Sequence, residues 1–199
     1  MSKQFDVLVI GGGPGGYVAA IRAAQLGFSV ACCESNAYAD PKGEPRLGGT
    51  CLNVGCIPSK ALLHTSHLFE EACHGFAVQG ITVGTPKIDV PTMIERKNTI
   101  VKQLTTGIKG LFKKNKVTLL NGQGSFVAQS DGGWQVKVGE EPVEAKQVVV
   151  ATGSRPRHLA GVAVDNVLVC DNVGALDINA VPKTLAIIGA GVIGLEMGS

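Results

Sequence analysis

Apolar and polar positions alternate in blocks along the start of the chain. Residues 5–10 form a near-continuous apolar run, which is typical of a parallel strand that is covered on both faces. Glycines follow, and an alanine-rich segment at 17–26, interpreted as a helix, stops at Gly27. A second apolar run over 29–33 ends at Glu34. The pattern predicts a strand, a helix and a second strand, which together open a parallel α/β sheet.

The centre of the chain is predicted to be mostly helical. Residues 36–49 are rich in proline and glycine and are interpreted as a loop. Residues 51–74 are predicted to be helical, with a disturbance near Gly55 and Pro58. Residues 90–115 are predicted to form a long amphipathic helix. Its apolar stripe consists of Val90, Met93, Ile94, Val101, Leu104, Ile108, Leu111 and Phe112.

Strands return after the long helix. Four short ones are predicted, at 117–120, 125–128, 134–138 and 147–151. The Asp-Gly-Gly sequence at 131–133 is typical of a hairpin turn, which indicates an antiparallel part. A last apolar run at 184–188 is predicted to be a strand. It leads through glycines into a predicted helix, and the given sequence ends a few residues into that helix. We therefore expect these residues to be part of a longer chain.

Composition narrows the class of protein. The 199 residues fit one large or two small domains, and 45% are hydrophobic, which is enough for a core. The net charge of +2 gives no support for nucleic-acid binding or for attraction to a membrane surface. No apolar run approaches the roughly 18 residues of a spanning helix, and no signal-peptide cleavage site is visible. We expect a cytoplasmic protein.

The glycines after the first strand form a dinucleotide-binding fingerprint, Gly11-x-Gly13-x-x-Gly16. In such a turn the glycines allow a tight bend, close approach of a pyrophosphate and close packing of the helix on the sheet. Glu34, at the end of the second strand, is placed to bind a ribose hydroxyl. A purely structural turn and an exposed strand-end carboxylate are the alternatives.

A second fingerprint, Gly189-x-Gly191-x-x-Gly194, follows the last apolar run. Two fingerprints in one sequence indicate two nucleotide sites. The residues that distinguish NAD from NADP are expected beyond Ser199.

The sequence contains six cysteines. Apart from the adjacent Cys32 and Cys33, the two that lie closest together in the sequence are Cys51 and Cys56. On an ideal helix their Cα atoms would lie beyond the roughly 7 Å limit for a disulfide, so a bridge needs a distorted turn. Unpaired core thiols and a zinc site with His64 and His67 are the alternatives. The spacing does not favour zinc, and we predict no metal. The remaining cysteines, Cys32, Cys33, Cys73 and Cys170, are interpreted as structural or incidental.

The segment around this pair resembles the redox-active disulfide motif of the pyridine nucleotide-disulfide oxidoreductases. Leu52-Asn53 and the residues at 57–63 are most similar to the dihydrolipoamide dehydrogenases. The resemblance implies a disulfide in which Cys51 exchanges with substrate and Cys56 contacts FAD. It also implies further cofactor-binding residues, namely Gly49, Thr50, Lys60, Gly124, Thr152, Gly153, Ser154 and Glu196.

Three of these expectations are specific. Residues 152–154 resemble the family's second FAD-contacting segment. Gly124 resembles a glycine beside the adenine, although a hairpin glycine is an equally open interpretation. Lys60 and Glu196 are expected to form an ion pair close to the flavin.

The resemblance implies an α/β fold: a Rossmann-like FAD-binding domain with a central parallel sheet and a small antiparallel β insertion, then the start of a second Rossmann-like, NAD-binding domain. The predicted boundaries are residues 1–154 for the FAD-binding domain with the redox disulfide, 155–182 for a connecting segment, and 183–199 for the start of the NAD(P)-binding domain.

The activity implied by the resemblance is oxidation of dihydrolipoamide to lipoamide with NAD⁺ as acceptor. The implied partners are lipoyl domains of 2-oxo acid dehydrogenase complexes or of the glycine cleavage system, and a second copy in a homodimer. None of the four histidines, His64, His67, His74 and His158, matches the family's catalytic base. We therefore expect this chain alone to be inactive. A glutathione or mercuric reductase and a non-catalytic FAD-binding fragment remain alternatives.

Overall fold

The computed structural model describes residues 2–35, 38, 43 and 46–199. The predicted loop at 36–49 therefore lies partly outside the described residues. The chain divides into two compact units, Met1–Asn53 with Gln103–Arg155 and Val54–Lys102 with Pro156–Ser199. The domain boundaries given above stay a prediction.

A six-stranded sheet forms the first unit, in the order β3-β2-β1-β6-β5-β4. The four strands β3, β2, β1 and β6 run parallel to one another, whereas β4 and β5 form an antiparallel hairpin, and β5 pairs antiparallel with β6. The predicted parallel sheet and antiparallel insertion are thus confirmed as parts of one sheet. The strands are β1 Lys3–Ile10, β2 Val30–Glu34, β3 Thr118–Asn121, β4 Gly124–Ser130, β5 Gly133–Val138 and β6 Glu141–Val150.

Strand β6 is longer than the sequence predicted. Its first half pairs antiparallel with β5, so that Val143 faces Val136. Residues up to Val150 pair parallel with β1 on the other side. The early part was missed because charged residues alternate there with buried Val143 and Ala145, so no continuous apolar run marks it.

Helix α1, Pro14–Gln25, covers this sheet and contacts β1 and β2. The sheet carries an apolar core, because its strands contribute side chains that are almost completely removed from water. The cluster consists of Leu8, Ile10, Ala31, Cys33, Leu120, Val136, Val138, Val143 and Ala145.

The central region of the chain is mostly helical, as the sequence predicts. Its helices are α2 Gly49–Val54, α3 Cys56–Glu70 and α4 Val90–Lys114, with a π-helical turn at Glu71–Gly75 and a 3-10 turn at Ala77–Gln79 between α3 and α4. Arg96 on α4 donates a hydrogen bond to the Ala61 carbonyl on α3, at 3.3 Å. Two short helices complete the chain, α5 Asn172–Ala175 and α6 Val192–Gly198.

The buried stripe of α4 differs from the predicted one. Leu104 and Leu111 are 44% and 45% exposed, while Lys97 and Thr105 are buried. These two leucines belong to the apolar stripe but are not buried. A buried lysine is tolerated here because its ammonium finds hydrogen-bond acceptors, which are described below.

The strand predicted at 184–188 is also wrong. None of the described residues in that range belongs to a strand, and Leu185, Ile187 and Ile188 are exposed. A β-strand exists only through pairing with a neighbour, and no residue of this run is assigned to a paired strand. Within the described part of the chain, no helix is long and apolar enough to cross a membrane.

Candidate functional site

The first glycine turn leaves the carboxyl end of β1 and enters α1. Gly11 has a φ of +106°, a conformation that side chains rarely allow. A Cβ on Gly16 would lie 1.8 Å from the Gly11 carbonyl oxygen. Only glycine therefore lets the first turn of α1 approach the strand so closely. Gly13 is the residue that caps α1, with extended backbone.

Glu34 holds this turn in place from the end of β2. It is only 9% exposed, and its Oε2 accepts a hydrogen bond from the Gly12 amide at 2.8 Å. Its Oε1 accepts from the Ser35 amide at 2.8 Å. The sequence indicated a ribose ligand but missed this role, because the bond to Gly12 spans 22 residues of chain. Charge-assisted bonds of this kind are among the stronger ones in proteins.

The segment before α2 lies directly against the same turn. The Gly48 amide donates to the Gly12 carbonyl at 2.8 Å. A Cβ on Gly49 would lie 2.8 Å from the Gly13 Cα, so the two backbones are in contact. Because α2 begins at Gly49, this contact brings Thr50 and Cys51 to the turn.

The end of β6 reaches the same edge of the sheet. The Ala151 amide donates to the Ile10 carbonyl at 2.8 Å, and Thr50 Oγ1 donates to the Ser154 carbonyl at 3.1 Å. The predicted residues at 11–16, 34, 49–51 and 152–154 are thus brought together at the carboxyl ends of parallel strands. Ligands of open α/β sheets bind at such an edge.

Gly124 begins β4 and packs against the ends of β1 and β2. A Cβ there would lie 3.0 Å from the Cys33 sulfur and 3.1 Å from Ile10 Cγ2. This packing requires a small residue. The expected contact with an adenine stays a prediction.

Cys51 and Cys56 form a disulfide. The chain between them is not one helix: α2 ends at Val54, α3 begins at Cys56, and Gly55 between them has φ −145° and ψ −117°. The predicted distortion at Gly55 is confirmed. It is what allows residues five apart to be bridged. Because the two sulfurs are bonded to each other, the interpretation of this pair as zinc ligands is wrong.

A charged cluster lies one turn further along α3. Glu196 on α6 accepts a hydrogen bond from the Ser59 hydroxyl and forms an ion pair with Lys60. The predicted Lys60–Glu196 ion pair is confirmed. The Lys60 ammonium, and secondly the Ser59 hydroxyl, lower the pKa of Glu196. Sequence reasoning missed the buried Ser59, although its place next to Lys60 was a signal.

The second glycine turn repeats the first one in its local geometry. Gly189 has a φ of +103°, and a Cβ on Gly194 would lie 2.3 Å from the Gly189 carbonyl oxygen. Gly191 caps α6 with φ −73° and ψ 171°, against −74° and −176° for Gly13 at the start of α1. The similarity extends from the sequence motif to the backbone.

The cysteines outside the disulfide fall into two kinds. Cys32 and Cys33 are buried in β2, and burial raises the pKa of both thiols. Cys73 and Cys170 are exposed. The described residues contain no group of three or more side chains suited to hold a metal ion.

The family model described as pyridine nucleotide-disulphide oxidoreductase matches residues 5–199. This chain belongs to that family. The pyridine nucleotide-disulphide oxidoreductases use FAD and NAD(H).

Individual relatives are similar over the whole chain. A dihydrolipoyl dehydrogenase of Cupriavidus necator is 66% identical over 199 residues, which are 100% of this chain and 42% of that protein. The mitochondrial dihydrolipoyl dehydrogenase 1 of Arabidopsis thaliana is 50% identical over 100% of this chain and 38% of its own length. The chain thus spans about two fifths of the curated relatives it matches.

A solved structure shares the fold. The HOCl-induced flavoprotein disulfide reductase RclA of Escherichia coli superposes with a TM-score of 0.73 at 24% identity, covering 96% of this chain and 38% of that one. Membership of the disulphide oxidoreductase family therefore agrees with both the sequence and the fold.

Proposed function

We propose that this chain is the FAD-binding and redox-disulfide part of a dihydrolipoyl dehydrogenase, in which dihydrolipoamide is oxidised to lipoamide and NAD⁺ is the acceptor. The observation that carries the proposal is the Cys51–Cys56 disulfide at the junction of α2 and α3, with Gly49 packed on the first glycine turn. We assign the dihydrolipoamide-oxidising activity to a full-length protein, about as long as these relatives, and not to this chain alone.

The first glycine turn fits a dinucleotide diphosphate. Backbone without side chains faces this edge of the sheet, and a Cβ added to Gly13 would meet only the Gly49 Cα, at 3.6 Å. We assign the diphosphate of FAD to Gly11, Gly13 and Gly16, at the N-terminus of the twelve-residue α1. Further FAD contacts are assigned to Glu34, Gly49, Thr50, Gly124, Thr152, Gly153 and Ser154.

FAD supplies, when bound, the transfer of an electron pair between the dithiol and the nicotinamide. The residues of this chain perform the thiol chemistry. A substrate thiolate attacks the Cys51 sulfur, the Cys51–Cys56 bond breaks, and Cys56 leaves as a thiolate. The second substrate thiol then displaces Cys51 and closes the lipoamide disulfide. One dithiol is oxidised and one disulfide is reduced.

Two features favour the Cys56 thiolate. Cys56 is the first residue of the fifteen-residue α3, where the helix dipole and free amides stabilise negative charge. Lys60 adds a positive charge one turn later, and its ion pair with Glu196 fixes the position of that charge. We assign Lys60 and Glu196 to the surroundings of the flavin.

The second glycine turn is assigned to the nicotinamide cofactor through Gly189, Gly191 and Gly194. Its backbone repeats that of the first turn, which supports a second dinucleotide there. The preference for NAD over NADP follows the similarity to dihydrolipoyl dehydrogenases.

The partners follow from the proposed substrate. We propose that the full-length protein is a cytoplasmic homodimer that oxidises dihydrolipoamide on lipoyl domains of 2-oxo acid dehydrogenase complexes or of the glycine cleavage system. The thiol base is assigned to a histidine outside this chain, since no histidine of the chain matches the family's motif.

The decisive experiment follows the flavin and the thiols of the full-length protein. We expect a flavin spectrum that gains a long-wavelength band on two-electron reduction, and loss of that band in Cys56→Ser. Gly13→Ala should weaken FAD binding at least about tenfold, or about 1.4 kcal/mol. Gly15→Ala is the matched control, because its Cβ would meet only the Ala151 Cβ at 4.0 Å.

A substrate assay distinguishes a dihydrolipoyl dehydrogenase from a glutathione or mercuric reductase. Dihydrolipoamide with NAD⁺ should be turned over, and Cys51→Ser should abolish that turnover. Efficient reduction of glutathione disulfide or mercuric ion with NADPH, without dihydrolipoamide activity, would refute the proposed substrate. Unchanged FAD binding in Gly13→Ala would refute the assignment of the first turn.

A further inference from the structure

The segment at 165–177 is fixed by its own hydrogen bonds. Asp165 Oδ1 accepts from three successive backbone amides at 2.8–2.9 Å, those of Val167, Leu168 and Val169. Asn166 Oδ1 accepts from the amides of Asp171 and Gly174, both at 3.1 Å. Asp171 caps α5 by accepting from the Val173 amide at 2.9 Å. Such a segment presents its side chains in one fixed place.

Asn172, the first residue of α5, reaches the redox loop, which we define as the residues between Cys51 and Cys56. Its Nδ2 donates to the Val54 carbonyl at 2.6 Å. Val54 is the last residue of α2, and a carbonyl at a helix end lacks a partner within its own helix. The Asn172 amide supplies that partner in the middle of the redox loop.

Lys97 fixes the other end of α5. Its side chain is only 7% exposed, and Nζ donates to the carbonyl of Leu176, the residue after α5, at 2.7 Å. It also forms an ion pair with Asp177 at 3.1 Å. Removing one partner of a buried charge is costly, so this connection holds α5 firmly on α4. Asn172 is therefore the first residue of a helix, α5, whose other end is fixed by Lys97.

We propose that Asn172 is a positioning residue for the Cys51–Cys56 couple, which it restrains through the Val54 carbonyl. Reduction by a dithiol breaks the sulfur–sulfur bond and adds two electrons, which leaves the Cys51 thiol and the Cys56 thiolate, while the dithiol becomes a disulfide and its second proton passes to solvent. While Val54 stays held, the two thiols remain close, and their effective concentration towards each other stays high. The restraint thus favours the disulfide. This inference rests on the proposed function only in that the disulfide turns over.

The test measures the dithiol–disulfide equilibrium of the full-length, FAD-loaded protein. The protein is equilibrated with reduced and oxidised dithiothreitol, the thiols are alkylated, and mass spectrometry gives the oxidised fraction of the Cys51–Cys56 peptide. Asn172→Ala should shift this equilibrium towards the dithiol about threefold to tenfold. At 29.6 mV per factor of ten, that is about 14–30 mV towards a more positive potential.

Three further variants define the result. Asn172→Gln keeps an amide donor and should restore part of the wild-type equilibrium, and Val173→Ala, at an exposed neighbour on α5, should not change it. Asn172→Asp has the same size but no donor, and it should repeat the shift even if Asn172→Ala does not fold. A normal equilibrium in a folded Asn172→Ala or Asn172→Asp protein, with or without a lower melting temperature, overturns the proposal.

The outcome is separable from that of the proposed function. Thiol trapping reads the disulfide whether or not dihydrolipoamide is the substrate. Inactivity of the wild-type protein towards dihydrolipoamide, together with the expected shift in Asn172→Ala, would refute the substrate alone. An unchanged equilibrium in an enzyme that oxidises dihydrolipoamide would refute the role of Asn172 alone.

Discussion

Two neighbouring glycines in α1 allow a matched test of how this helix packs on its strand. A Cβ on Gly16 would lie 1.8 Å from the Gly11 carbonyl oxygen, whereas a Cβ on Gly15 would lie 4.0 Å from its nearest neighbour outside the local chain. Reaching even 3.0 Å in Gly16→Ala requires a movement of about 1.2 Å by backbone that no rotamer change can relieve.

The magnitudes follow from the two geometries. Overpacking of this kind costs about 3 kcal/mol, at the upper end of the usual range, because the contact is with backbone. Alanine in place of a helical glycine contributes up to about 1 kcal/mol. Gly16→Ala should therefore lose about 2 kcal/mol and Gly15→Ala should gain up to about 1 kcal/mol. For a chain of this size the two melting temperatures should differ by roughly 6–12 °C.

The assay is thermal unfolding of both variants and the parent, followed by circular dichroism in the presence of excess FAD and again without it. The difference between the variants should persist without FAD, because the clash lies within the protein. Equal melting temperatures for Gly15→Ala and Gly16→Ala would refute the close approach of α1 to the turn.

Three further results are expected. Glu34→Gln should lower the free energy of unfolding in urea by about 1.5–3 kcal/mol, since the buried charge-assisted bond from the Gly12 amide is weakened; an unchanged midpoint would contradict that bond. With the disulfide intact, a thiol reagent should label the exposed Cys73 quickly and leave the buried Cys32 and Cys33 unlabelled, because burial raises the pKa of these two thiols. Labelling of Cys32 or Cys33 in the native protein would contradict their burial. The Lys146 ammonium, followed by hydrogen bonds from Ser29, holds the pKa of Asp6 well below its usual range. This carboxylate therefore stabilises the fold above about pH 4 and loses that effect as the pH falls further, so Asp6→Asn should flatten the acid limb of a plot of melting temperature against pH.

The sequence predicted those features that local residues determine. The first strand–helix–strand unit and both glycine turns follow from short apolar runs and from closely spaced glycines, of which Gly11 and Gly16 leave no room for a side chain. The break between Cys51 and Cys56 was also predictable, because Gly55 lies inside the interval that had to distort. Each of these features depends on residues within a few positions of one another.

Features that depend on distant partners were not predictable. The core position of Lys97 depends on a carbonyl 79 residues away, and the bond from Asn172 to the redox loop spans 118 residues. The length of β6 depends on β5 and β1 as neighbours, and the apolar run at 184–188 forms no strand since pairing requires a partner. Periodicity describes one segment and carries no information on such pairs.

The position of β1 in the sheet has a consequence for synthesis of the chain. Lys3 pairs with Val143 and Ile10 pairs with Val150. During synthesis β1 therefore has no partner on this side until β6 has been made, about 140 residues later. Until then one side of β1 offers unpaired amides and carbonyls to any passing strand. At a ribosome adding 5–20 residues each second, that exposure lasts roughly 7–28 seconds. A nascent chain stalled before Glu141 should therefore need a chaperone to stay out of aggregates.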